Sequence, residues 1–97
     1  MRKYKIIVNP IAGRGSGEAS IPAIQKYFNE YQLDFELERT EHPGHAIEIA
    51  YRAASEDYYA VVAVGGDGTA NEVLNGLVQV KNELNKTKTF GLISVGR

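Results

Sequence analysis

Short apolar runs alternate along this chain with longer stretches whose apolar residues return every three or four positions. Tyr4–Val8 is a compact apolar run and reads as a first strand. From about Glu18 to Tyr31, Ile21, Ile24, Phe28 and Tyr31 recur at helical spacing, and Pro22 falls in the first turn, where it is tolerated. Asp34–Thr40 alternates, with Phe35 and Leu37 inward and Glu36 and Glu38 outward, the pattern of a strand near a sheet edge. Pro43-Gly44 interrupts the chain. His45–Ser55 then reads as a helix with Ile47, Ala50, Tyr51 and Ala54 on its buried face. Tyr59–Val64 has little polarity and suits a central strand. Ala70–Val78 reads as a third helix that packs through Val73, Leu74 and Leu77. Gln79–Lys88 is polar and lysine-rich, as a loop would be, and Thr89–Val95 is a fourth strand.

Alternation of this kind predicts an α/β domain: a parallel sheet with helices on both faces. In such sheets ligands bind beyond the carboxyl ends of the strands, where the strand order reverses. An order of 2-1-3-4 would set the loops after strands 1 and 3 on either side of that point. Both are rich in glycine: Asn9-Pro10-Ile11-Ala12-Gly13-Arg14-Gly15-Ser16-Gly17 and Gly65-Gly66-Asp67-Gly68-Thr69.

Composition narrows the function classes. Ninety-seven residues make one domain or a piece of one. Apolar content of 43%, charged content of 24% and a net charge of −1 are those of an ordinary soluble domain, and no basic cluster suggests nucleic acid. Cysteine is absent, which excludes disulfides and thiolate zinc sites. No stretch has membrane-spanning length and no targeting segment is evident. The expectation is a cytoplasmic protein whose membrane contact, if any, is peripheral.

The second glycine loop carries the chemistry. Glycines between a parallel strand and a helix let backbone N–H groups approach an anion closely. Asp67 among them needs a reason. A carboxylate about 4 Å from a phosphate charge is repelled by roughly 4 kcal/mol at an effective dielectric near 20. That is tolerable where a divalent cation bridges the two, or where the acid takes a proton from an incoming hydroxyl. Both uses point to phosphoryl transfer. Thr69 and Glu72 also have the spacing of a capping box. Asn9 ends the first strand with an amide able to bind a ligand, Arg14 adds a charge suited to phosphate, and Thr40 ends the second strand on the same side. Asn71 and Asn75 share a helix face; Asn75-Gly76 suits close helix packing, and Asn71 suits a nucleotide, a bond to Thr69 or plain solvation. His42 and His45 flank Pro43-Gly44, where loop and capping roles suffice without a metal. Neither a G-x-x-x-x-G-K-[ST] run nor correct G-x-G-x-x-G spacing occurs, which disfavours P-loop enzymes and dinucleotide dehydrogenases.

The run Gly65-Gly66-Asp67-Gly68-Thr69-Ala70-Asn71-Glu72-Val73-Leu74-Asn75-Gly76-Leu77 resembles the signature of the diacylglycerol kinase catalytic domain family, which includes bacterial lipid kinases and the sphingosine kinases. Its G-G-D-G core is shared with NAD kinases and phosphofructokinases; the downstream Asn-Glu-Val-x-Asn-Gly favours the lipid branch. Asn9-Pro10-x-Ala12-Gly13-x-Gly15 is similar to the family's first loop, and Thr40 with Gly44-His45-Ala46 to its second. The resemblance implies a Rossmann-like or phosphofructokinase-like nucleotide-binding domain and ATP-dependent phosphorylation of a lipid hydroxyl with Mg²⁺. It places Asn9, Pro10, Ile11, Ala12, Gly13 and Thr40 at the nucleotide, and Gly66, Asp67, Gly68, Thr69, Ala70, Asn71 and Glu72 around the phosphates. Asp67 becomes the acid that engages the metal or the acceptor hydroxyl. An NAD kinase-like enzyme and a non-catalytic nucleotide-binding module are the alternatives.

Past the fourth strand the family continues Pro-x-Gly-Thr and then Asn-Asp-Phe, whereas here Ser94-Val95-Gly96-Arg97 closes the sequence. Arg97 takes the place of a phosphate-contacting Thr. The resemblance further implies that residues 1–97 are an N-terminal nucleotide-binding part, inactive alone, without the β-rich second domain. Self-association or partial disorder near Thr87–Arg97 is the corresponding expectation.

Overall fold

A computed structural model describes residues 2–95 of the chain. Its elements run β1 (Lys3–Val8), α1 (Ala12–Ala19), α2 (Ile21–Glu30), β2 (Asp34–Arg39), α3 (His45–Ser55), β3 (Ala60–Gly65), α4 (Asp67–Leu84) and β4 (Thr89–Ser94). The four strands form one sheet in the order β2-β1-β3-β4, every pair parallel. This is the α/β architecture that the alternation implies. β3 is buried along its whole length, as a strand with apolar residues on both faces must be. β2 is an edge, and its Phe35 and Leu37 face inward while Glu36 stays exposed.

Each face of the sheet has its own core. On one, Ile7, Val61 and Ala63 pack under Ala46, Ile49, Ala50 and Ala53 of α3 and Val73 of α4. On the other, Ile6, Val8, Val62 and Val64 pack under Ile21, Ile24 and Phe28 of α2. Alternate residues of β1 and β3 thus feed opposite cores, the period-two geometry of a strand.

Five details differ from the sequence reading. Instead of one helix from Glu18 to Tyr31 there are two segments, and α1 begins inside the glycine-rich loop. Gly13, Arg14 and Gly15 adopt φ of 61°, 59° and 92°, so a left-handed kink interrupts α1; two glycines make such a run affordable in conformational terms. Tyr31 caps α2 and is exposed instead of buried. α4 does not stop at Val78. Val80, fully buried, extends the inward series of Val73, Gly76 and Leu77 by one more turn, and the polar residues around it face water. The helix ends at left-handed Asn85, whose N–H donates to the Lys81 carbonyl. Leu74, assigned to packing, is exposed, as packing on α3 turns that side outward. Within the segment expected to be partly disordered, Thr89–Ser94 forms β4, held in register by β3. The departure read at Gly96 and Arg97 lies outside the described residues.

Candidate functional site

β1 has β2 on one side and β3 on the other, so the strand order reverses between β1 and β3. The two glycine-rich connections, after β1 and after β3, leave the sheet there. Asn9 ties them together. Its backbone N–H donates to the Val64 carbonyl at 3.0 Å, and its side-chain Nδ2 donates to Thr69 Oγ1 at 3.3 Å. Its Oδ1 accepts the Ile11 N–H at 3.3 Å, which shapes the turn. One N–H and one lone pair of the amide stay uncommitted.

Thr69 is not the helix N-cap. That position belongs to Gly66, in extended conformation and with no side-chain cap. Thr69 sits inside the first turn, buried, with its hydroxyl receiving the Asn9 amide. The capping box is absent too: the Glu72 carboxylate accepts the Gly44 N–H at 3.1 Å and so fastens α4 to the start of α3. Gly44 holds φ at 85°, which favours glycine there.

The glycines of the loop divide into two uses. A Cβ on Gly65 would lie 2.7 Å from Thr69 Cβ, so this glycine lets the helix close on its strand. Gly66 and Gly68 would meet nothing within 4 Å. The amino end of α4 is therefore open and uncapped, and its first N–H groups have no helical acceptor. Such an end attracts anions through those donors and the helix dipole. Asp67 occupies the first helical position and is exposed.

A cavity of about 430 Å³ opens at this point. Of the residues singled out in the sequence, Asn9, Pro10, Ile11, Thr40, Gly68, Thr69 and Glu72 line it. Ala12, Gly13, Gly66, Asp67, Ala70 and Asn71 do not form its wall, although Asp67 adjoins Gly68 and Ala70 adjoins Thr69 in the chain. Glu41, His42, Pro43 and Ala46 complete the wall without having been assigned to it. Glu41, His42 and Pro43 lie in the short connection before α3, where the chain break at Pro43-Gly44 masks them, and Ala46 belongs to the run similar to the family's second loop. Thr40 itself is held by a 2.8 Å bond from its N–H to the Val8 carbonyl. A bidentate ion pair, Arg39 to Glu18 at 2.8 and 3.0 Å, joins the end of β2 to α1, and the Arg39 guanidinium holds the Glu18 carboxyl below its usual range.

Fold and crevice together are those of an open α/β domain. The diacylglycerol kinase catalytic domain model matches residues 3–97, and the chain belongs to that family. It is 33% identical over 96 residues to a diacylglycerol kinase of Bacillus subtilis, covering 99% of this chain and 30% of that protein. A ceramide kinase of Arabidopsis thaliana is 32% identical over 78 residues, covering 77% of this chain and 13% of its own length. A crystal structure of a diacylglycerol kinase from Bacillus anthracis superposes with a TM-score of 0.76 at 29% identity, covering 98% of this chain and 33% of that one. The chain thus spans about a third of the length of these bacterial relatives. Among the described residues no helix is long and apolar enough to cross a membrane.

Proposed function

We propose that this chain is the nucleotide-binding part of an ATP-dependent kinase that phosphorylates a lipid hydroxyl. The observation that carries the reading is the open, uncapped start of α4 at the strand-order reversal, beside a crevice large enough for a small ligand. The nucleotide's phosphates lie against the N–H groups of Gly68 and Thr69, where Gly66 and Gly68 present no side chain to obstruct them. Pro10, Ile11 and Pro43 offer apolar walls for the base and sugar, and Asn9 and Thr40 offer polar groups.

Asp67 fits a divalent cation: an exposed carboxylate oxygen donor, on the rim and within one residue of the phosphate-facing amides. Mg²⁺, when bound, would neutralise charge on the terminal phosphates. Asp67 engages that cation or the hydroxyl of the acceptor. In the transfer, the acceptor oxygen bonds to the γ-phosphorus as the bond from the γ-phosphorus to the β–γ bridging oxygen breaks, the hydroxyl proton passes to the Asp67 carboxylate or to solvent, and ADP departs. The lipid acceptor is supported by membership of the family and by the relatives' names.

Calorimetric titration of ATP with and without Mg²⁺, on the native chain and on Asp67→Ala, tests the reading. Native protein should bind roughly tenfold more tightly with Mg²⁺, equivalent to about 1.4 kcal/mol. Asp67→Ala should still bind ATP and lose that difference. Identical behaviour of the two proteins, or no binding by either, overturns the proposal.

A further inference from the structure

His42, at the lip of the crevice, meets His45 and Glu48 at the start of α3. Their potential ligand atoms all lie within 4.8 Å of one another. His45 and Glu48 are three apart on the helix and share a face. The two imidazoles stack, centroids 4.6 Å apart and planes 15° from parallel, which sets their edges side by side. We propose that these three residues form a binding site for a divalent transition-metal ion of the zinc class, with one coordination position left open.

The donor set selects the ion. Two imidazoles and a carboxylate suit zinc, nickel or copper and are a poor match for Mg²⁺, which takes oxygen ligands. The site is thus chemically distinct from any cation bound with a nucleotide at Asp67. His42 is already oriented for it. Its Nδ1–H donates to the Pro43 carbonyl at 2.9 Å, which leaves the lone pair on Nε2. An imidazole that ligates through one nitrogen and donates from the other to a carbonyl is the usual supporting arrangement at metal sites. Among the described residues, no hydrogen bond or ion pair holds the Glu48 carboxylate.

His45 must change partners. Its Nδ1 accepts the Glu41 backbone N–H at 2.9 Å, so the neutral ring carries its proton on Nε2. A metal at Nε2 shifts that proton to Nδ1, and a metal at Nδ1 displaces the Glu41 N–H. Either route breaks the bond to Glu41. Glu41 and His42 both line the crevice. Metal binding therefore exchanges a backbone hydrogen bond at the crevice wall for a coordinate bond, and couples the lip to the cavity.

The test needs no nucleotide, so its failure is separable from failure of the kinase reading. The metal-free chain is titrated with ZnCl₂ by calorimetry and with Co²⁺ by visible absorption, while the Glu41 amide is followed by NMR hydrogen exchange. His42→Ala and Glu48→Gln are measured alongside, with circular dichroism to show that each is folded. The native chain should take up a single saturating equivalent, each variant should lose roughly tenfold or more in affinity, and the Glu41 amide should lose protection as zinc binds. Absence of saturable binding, or equal affinity in the native chain and both variants, overturns the site. Retained protection of Glu41 with zinc bound overturns His45 as a ligand.

Discussion

Lys5 stands on an interior strand with its side chain only 9% exposed, and two carboxylates of the edge strand hold its ammonium, Glu36 at 3.2 Å and Glu38 at 3.0 Å. The Tyr58 hydroxyl donates to the same Glu36 carboxylate. That hydrogen bond, and then Lys5, hold the Glu36 carboxyl below its ordinary range. Burial first, and the Glu36 contact second, push the Tyr58 phenol up to about 12. The signs of the two linkages differ. Glu36 supports folding fully above pH 4.5, its reference value, and that support is lost as pH falls through the lower folded value. Tyr58 supports folding below pH 10, and that support is lost as pH rises from 10 to about 12. Glu36→Gln should destabilise the chain at pH 7 by about 1 kcal/mol, a figure kept small because Glu36 is half exposed. The difference from the native chain should shrink as pH falls below 4.5, in urea melts at a series of pH values; a constant difference would refute the linkage. Single residues are also the scale at which the sequence is least legible. Asp67 and its glycines are conspicuous in one dimension. The partners of Asn9, Thr69 and Glu72 are up to 60 positions away, so only the closed sheet shows that they bond to one another and to Gly44.

Elements obey rules of periodicity, and those rules failed where a helix carried few apolar residues. α4 needs just one buried valine in its last two turns, so Val80 alone decides whether polar Gln79–Leu84 is helix or loop. α1 posed the opposite problem: glycine content argues for a loop, yet Ser16 and Ser20 side chains bond back to the Gly13 and Gly17 carbonyls at 2.7 Å and hold the turns. The α3–α4 pair was more legible, because a glycine in mid-helix signals close approach. A Cβ on Gly76 would sit 2.6 Å from the Ile47 carbonyl oxygen and 2.8 Å from Ala50 Cβ. Gly76→Ala gains about 0.5–1 kcal/mol in helix propensity and forces apart backbones that have no room, at about 1–3 kcal/mol. The net should be destabilising in chemical denaturation. Because α3 carries Ala46 at the crevice and α4 carries Gly68, Thr69 and Glu72 there, the same variant should also weaken ATP binding. A stabilised variant would show that the helices can separate freely.

At the scale of the whole molecule, composition assigns two places in the order β2-β1-β3-β4. The strand with least polarity must be interior, and the one with alternating charges must be an edge. What composition does not settle is how firmly the other edge is held. β4 is bonded on one side only, to β3, and Leu92 on it is exposed. In a parallel pair, alternate residues of an edge strand turn their N–H groups toward the neighbour and the rest toward open space. Native-state hydrogen exchange should therefore give three classes. Amides of Ile6–Val8 and Val61–Val64, bonded in the interior, should exchange slowest, through global unfolding. Along β4, slow and fast amides should alternate. Rapid exchange of every β4 amide would mean that the strand opens on its own, without the rest of the sheet. Uniform protection that grows with protein concentration would mean that a second copy covers the edge, the self-association that its exposed apolar residues favour. Alternation independent of concentration is the outcome that the four-stranded sheet by itself requires.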